Sequence, residues 1–195
     1  MLLIELLLLR PTAFRDACEN QRAPLWVSAF LFLVGVVYGL WVAVLQHSLG
    51  RFGGELQGLP VASIPLWILA VGNIFIGILV AILIHLGVTL VAWLMAKAVG
   101  GPGYMGFLYR TSGYLLPLTL PALPALAFNT AVTTVEVTPT PSIPLLYLLL
   151  AVIGVGWFLG GLYQSLRVTQ ELNPRRTLFA VLLFAAFSAS IMSIA

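Results

Sequence analysis

Hydrophobic positions in this chain come in long runs, not in alternation. Continuous apolar stretches cover residues 24–46, 64–96, 107–128, 144–163 and 177–194, and polar residues gather in the segments between them. Lipid offers no partner for stray backbone N–H and C=O groups, so runs of about 20 apolar residues without a period of two predict membrane-crossing helices. The expected architecture is all-α and polytopic, with five transmembrane helices. The second run, Ile64 to Ala96, would form a helix of roughly 50 Å, longer than a hydrocarbon core of about 30 Å, so either it tilts and protrudes or its first turns lie along the interface. Ser63-Ile64-Pro65 supplies its start.

Between the runs the breaks differ in kind. Arg51 and Glu55 sit in a glycine-rich connector that ends at Pro60. The threonines and prolines of NTAVTTVEVTPTPSIP, from Asn129, read as an extended, non-helical connector. Gly101 to Gly106, GPGYMG, has the spelling of a dinucleotide-binding turn, but that site needs a preceding strand and an acidic residue about 20 positions on. An apolar helix precedes it here, so it reads as a tight reversal between two spans. Residues 1–9 are apolar, too short to span, and lack the basic lead and small-residue cleavage site of a signal peptide. Arg10-Pro11-Thr12 then opens a short helix with Phe14, Ala17 and Cys18 on one side and Arg15, Asp16, Glu19 and Arg22 on the other. Residues 1–23 are therefore expected to form an N-terminal interfacial segment, apolar side against acyl chains, ahead of a five-helix domain over 24–195.

Composition agrees with a bilayer as solvent: 61% of residues are hydrophobic and 8% charged, against about 25% charged in soluble domains. The net charge of +3 is spread over the loops without a cluster dense enough to follow a phosphate backbone, which argues against nucleic acid. The charges order the chain across the membrane instead. Arg10, Arg15, Arg22, Lys97, Arg110, Arg167, Arg175 and Arg176 fall on one side of five spans and only Arg51 on the other, so the N-terminus is expected in the cytoplasm and the C-terminus on the opposite side. A bacterial-type inner membrane is the expected location.

Few groups suggest chemistry. Cys18 is the single cysteine, which excludes an internal disulfide and a cysteine metal site, and neither a paired carboxylate nor a nucleophile elbow appears. No catalytic, metal or cofactor site is expected, and the chain is not expected to be an enzyme. Asn73 and His85 lie inside the second span, where a polar group seeks a partner on another helix, and His85 and Thr89 stand one turn apart to share one. Pro117, Pro121 and Pro124 recur along one face of the third span and would free the carbonyls of Gly113, Pro117 and Leu120. Together Asn73, His85, Pro117 and Pro121 define a candidate midplane polar site of the kind a small transporter or channel subunit would use. The plainer reading is helix packing around a kink. Gly35-xxx-Gly39 and Gly156-xxx-Gly160 permit close helix approach, within the fold or toward a partner. Arg15, Arg22, Lys97, Arg110, Arg175 and Arg176 are candidate contacts to anionic lipid headgroups.

The stretch AWLMAKAVGGPGYMGFLYRTSGYLLPLTLPAL resembles the Yip1 domain family, in which a helix ends in a glycine-containing turn followed by an arginine, a Gly-Tyr pair and a proline. Those features stand here at Gly100, Gly101, Gly103, Arg110, Gly113, Tyr114 and Pro117, and RPTAFRDACENQ is similar to the family's proline and aromatic before the first span, at Pro11 and Phe14. Eukaryotic relatives act in vesicle traffic through a cytosolic region with an Asp-Leu-x-Gly-Pro motif; this sequence has no such motif and looks like the short prokaryotic members. The resemblance implies five spans and a cytoplasmic N-terminus and supplies no role for such members. The small-residue faces, the interfacial N-terminal helix and loops too short to hold a separate site lead to an expected non-enzymatic role as accessory subunit, assembly factor or membrane organiser. The expected partners are membrane lipids and another membrane protein or a second copy of the chain.

Overall fold

A computed structural model describes residues 2–194, with the side chains of residues 4–191. The elements run α1 (Leu2–Leu7), α2 (Pro11–Glu19), α3 (Ala23–Gly50), a hairpin of β1 (Glu55–Leu56) and β2 (Leu59–Pro60), a 3-10 turn (Val61–Ser63), α4 (Leu66–Ala98), α5 (Met105–Leu115), a 3-10 stretch (Leu116–Ala122), α6 (Leu123–Thr134), α7 (Leu145–Thr169) and α8 (Pro174–Ile194). Among the described residues, five segments are long and apolar enough to cross a membrane: Ala23–Gly50, Leu66–Ala98, Met105–Thr134, Leu145–Thr169 and Pro174–Ile191. The fold is all-α and that of a multi-pass membrane protein.

Several boundaries move outward from the apolar runs, for local reasons. The third span continues through Thr133 and Thr134 because their hydroxyls donate back to the carbonyls of Asn129 and Thr130, at 2.9 and 2.8 Å, which hides the polar groups on the helix itself. Thr169 does the same to the Ser165 carbonyl at 2.8 Å, extending α7. The last helix begins three residues before Thr177, with Pro174 in its first turn and the Arg176 N–H donating to Asn173 Oδ1 at 2.9 Å, an asparagine cap followed by proline.

Proline breaks the third span as expected, but the Gly113 carbonyl is not left open. The N–H of Leu116 closes onto the Gly113 carbonyl, and the tighter winding of residues 116–122 carries the chain past Pro117 and Pro121.

Contacts divide the chain into two compact units. The first comprises Met1–Phe30, Leu83–Leu118 and Gly156–Ala195; the second Leu31–Ile82 and Thr119–Val155. All eight basic residues assigned to one membrane side belong to the first unit and Arg51 to the second. In the first unit α2 packs on α5. Ala13, Phe14 and Ala17 are each fully buried, so the apolar side of α2 is covered by protein, a correction to the expectation that it rests on acyl chains. The helix lies where the sequence puts it, but Phe14 is enclosed by protein and not by lipid. Gly113 is where α3 meets α5: a Cβ there would lie 2.5 Å from Val27 Cγ1. Beside it Tyr114 is fully buried and meets Phe30 edge-on at 5.6 Å.

The second unit is built on a crossing of α3 and α4 at backbone distance. A Cβ on Gly35 would stand 2.6 Å from Ile78 Cα, one on Gly39 would overlap the Asn73 carbonyl, and one on Gly77 would overlap the Gly35 carbonyl. Ala43, Leu49, Val61, Leu69, Ala131 and Val135 form the core around it. The hairpin pairs Leu56 with Leu59, and its turn residues Gln57 and Gly58 both have positive φ, 53° and 78°, as a type I′ turn requires. The N–H groups of Glu55 and Glu136 each donate to the other's carbonyl, at 3.0 and 2.8 Å, which ties the α3–α4 connector to the extended α6–α7 connector.

Candidate functional site

The polar residues of the second span sort into two separate networks. In the first unit Ser112 Oγ lies 2.7 Å from Thr89 Oγ1 and 3.3 Å from His85 Nδ1, so His85 and Thr89 share one partner on the neighbouring helix. His85 is 1% exposed, its ring meets Tyr109 at 4.6 Å, and its Nε2 is buried without a hydrogen-bond partner. A second pair links the same helix to α7: Thr111 Oγ1 and Ser165 Oγ are 2.7 Å apart, both residues fully buried. These hydroxyls join helices that offer each other no charge.

In the second unit Gln46, which the sequence did not single out, is the centre. It is 4% exposed. Its Oε1 accepts from Asn73 Nδ2 at 2.8 Å, and its Nε2 donates to Thr134 Oγ1 at 2.9 Å. Asn73 Nδ2 also donates to the Leu69 carbonyl at 2.8 Å, and Tyr38 Oη and Thr130 Oγ1 lie 2.7 Å apart on the same pair of elements. Three helices, α3, α4 and α6, are thereby held by side-chain amides and hydroxyls. The signal for Gln46 was its place on an apolar run four residues from the end of the first span.

Asn73 and His85 are twelve positions apart on one continuous helix, about 18 Å at 1.5 Å per residue, and each has its own partners. Pro117 is buried and Pro121 half-buried in the 3-10 stretch. A rigid helix keeps residues more than three turns apart, which corrects the expectation that Asn73 and His85 meet.

The glycines divide as well. Gly35 and Gly39 serve the α3–α4 crossing. Gly160 receives Leu9, whose Cδ1 would stand 2.7 Å from an added Cβ, so it holds the segment after α1 and is not free for a partner. A Cβ on Gly156 meets nothing within 4 Å, and Val152, Ile153 and Val155 around it are more than half exposed.

Of the six candidate headgroup residues, Arg15, Arg22, Lys97, Arg175 and Arg176 are exposed. Arg110 is half-buried and donates from Nη1 to the Cys18 carbonyl at 3.0 Å. That carbonyl is one of the last in α2, where a helix lacks internal donors and favours a cation. Arg110 thus fastens α2 to α5. The Cys18 thiol beneath it is pushed up from its ordinary value, by burial first and by Glu19 next, with Arg110 pulling the other way. The turn after α4 is equally fixed: the Gly103 N–H donates to Gln170 Oε1 at 2.9 Å, Gln170 Nε2 donates to the Tyr104 carbonyl at 3.2 Å, and Trp93 Nε1 donates to the Gly103 carbonyl at 3.0 Å. Gly103 takes φ +80°, with Lys97 lying across the space a side chain would fill. Gln170 is 1% exposed and carried no signal in the sequence beyond its place at a span end. The glycine-rich stretch is a reversal pinned by α4 and the end of α7.

The residues that carry the Yip1 resemblance, Pro11, Phe14, Gly100, Gly101, Gly103, Arg110, Gly113, Tyr114 and Pro117, all fall in the first unit. The chain matches no family model, no curated protein and no solved structure.

Proposed function

We propose that this chain is a non-enzymatic membrane protein of Yip1-like type that acts as an accessory subunit, assembly factor or membrane organiser, packing its outward helix faces against a membrane protein partner, a second copy, or lipid. The observation that carries the reading is the contrast between spans. The third is 56% buried over its most apolar stretch, whereas α4, α7 and α8 are 22%, 17% and 22% buried. Those three helices leave most of their surface uncovered by the rest of the chain. On α7 the open notch at Gly156 lies among exposed Val152, Ile153 and Val155, a surface on which a neighbouring helix can come close. The basic first unit faces the cytoplasm under the positive-inside bias, in a bacterial-type inner membrane, and its exposed Arg15, Arg22, Lys97, Arg175 and Arg176 favour anionic headgroups there.

The test is gentle extraction of the tagged chain from its native membrane, then sizing and mass spectrometry of what co-elutes. A stoichiometric partner that is lost in Gly156→Leu, with thermal unfolding unchanged, supports the reading; Gly156 suits the test because a Cβ there meets nothing within 4 Å. A chain that elutes alone as a monomer, wild type and variant alike, refutes it.

A further inference from the structure

The second unit contains a cleft of about 490 Å³ beside the Gln46 network. Its polar lining is Gln46, Asn73, Thr130, Thr134 and Gln57 of the hairpin. Ile68, Gly72 and Ile76, on the outward side of α4, line it too, and Ile68 and Ile76 are 44% and 58% exposed. The cleft therefore opens sideways, toward the acyl chains. Asn73 stands seven positions into α4, about 10 Å along the helix, so the cleft runs from the hairpin to the depth of the uppermost part of a hydrocarbon layer.

Hydrogen-bond polarity specifies what fits. Both protons of the Asn73 amide are taken, by Gln46 Oε1 and by the Leu69 carbonyl. Asn73 Oδ1 faces no donor in these networks and is not among the buried unpartnered atoms of the described residues, so it is an acceptor at the cleft wall that asks for a donor. None of the lining residues is charged. A phosphate drawn into this cleft would leave water without meeting a cation, which is costly, whereas a hydroxyl gains the acceptor and loses little.

We infer that this cleft binds the hydroxyl-bearing head of an uncharged membrane amphiphile, with its apolar tail passing out over Ile68 and Ile76. The hydroxyl belongs either to a glycerol, as in a diacylglycerol, or to a sugar, as in a monoglucosyl diacylglycerol; the chemistry at Asn73 is the same. The inference does not rest on the partner reading above, whose test is at Gly156 on α7 and not at the cleft.

The experiment uses the purified full-length chain in phosphatidylcholine nanodiscs, loaded with diacylglycerol, monoglucosyl diacylglycerol, the acetyl-capped diacylglycerol that lacks the donor, or phosphatidic acid. Lipid retained on the protein is read by native mass spectrometry. The wild type is expected to retain the hydroxyl lipids at least about fivefold over the acetyl-capped form, the worth of one hydrogen bond. Tighter retention of the sugar lipid, or of diacylglycerol, identifies which source supplies the hydroxyl. Gly72→Leu plugs the mouth, and its Cβ meets nothing within 4 Å, so the variant is expected to lose the preference while unfolding no earlier than wild type. Equal retention of the acetyl-capped lipid, preference for phosphatidic acid, or a hydroxyl preference that survives in a folded Gly72→Leu protein overturns the inference. Should Gly72→Leu fail to fold, the comparison between capped and uncapped lipid on the wild type still decides it.

Discussion

Replacing Gly39 by alanine places a methyl group where α3 and α4 touch. The added Cβ would stand 2.6 Å from both the Asn73 carbonyl carbon and Ile74 Cα, about 1 Å inside the 3.5–4.0 Å at which carbon atoms rest. Backbone cannot rotate away as a side chain can, so the helices must part. Overpacking of this kind costs about 1–3 kcal/mol, and the parting also strains the Asn73–Gln46 bond next to it. Alanine returns up to about 1 kcal/mol through its higher helix propensity. The expected net effect is a loss of about 1–2 kcal/mol. Gly72→Ala supplies the control on α4: it gains the same propensity and meets nothing within 4 Å, so it is expected to stabilise by up to about 1 kcal/mol. Both are measured by reversible denaturation in mixed micelles, following helicity and tryptophan fluorescence. Opposite signs are the signature of the crossing. A Gly39→Ala protein as stable as wild type, or the two variants shifting together, would refute the close approach.

Arg110→Met removes the cation at the end of α2 and is expected to cost about 1–2 kcal/mol, seen as faster proteolysis around residue 20. In the wild type, Cys18 should be alkylated more slowly than a free thiol at pH 8, with the rate still climbing past pH 9. Its raised value leaves less thiolate at any given pH, so a rate curve levelling off below pH 9 would contradict the burial of that thiol. Gln170→Leu leaves the Gly103 N–H and the Tyr104 carbonyl without their partner, so hydrogen exchange at Gly103 should rise by at least about tenfold, equivalent to roughly 1.4 kcal/mol. In a double-mutant cycle, Ser112→Ala with Thr89→Ala should show a coupling of about 0.6 kcal/mol and at most about 1.7; zero coupling would mean that the two hydroxyls are not paired.

Much of this architecture is legible in the sequence because its determinants are local. Hydropathy sums along the chain, so the five spans and the extended connector at Glu136 appear without tertiary information, and the prolines at 117 and 121 announce a break because each removes an amide. The grouping of basic residues was equally legible, since counting charges on alternate loops needs only the number of spans. What escaped were partners. Gln46 and Gln170 look like ordinary polar residues near span ends, yet each is the hub of its surroundings.

The sequence by itself determined an all-α, multi-pass chain, its five spans and the proline break in the third. Tertiary structure alone decided that Gly35, Gly39 and Gly160 are spent on packing inside the fold while Gly156 lies open, that Asn73 and His85 belong to different networks, and that Phe14 is buried in protein. The physical reason is that acyl chains are as apolar as leucine, so a helix that is hydrophobic all round gives no sign of which side meets lipid and which meets protein. That choice is made by shape and by the few hydrogen bonds that must find each other across helices.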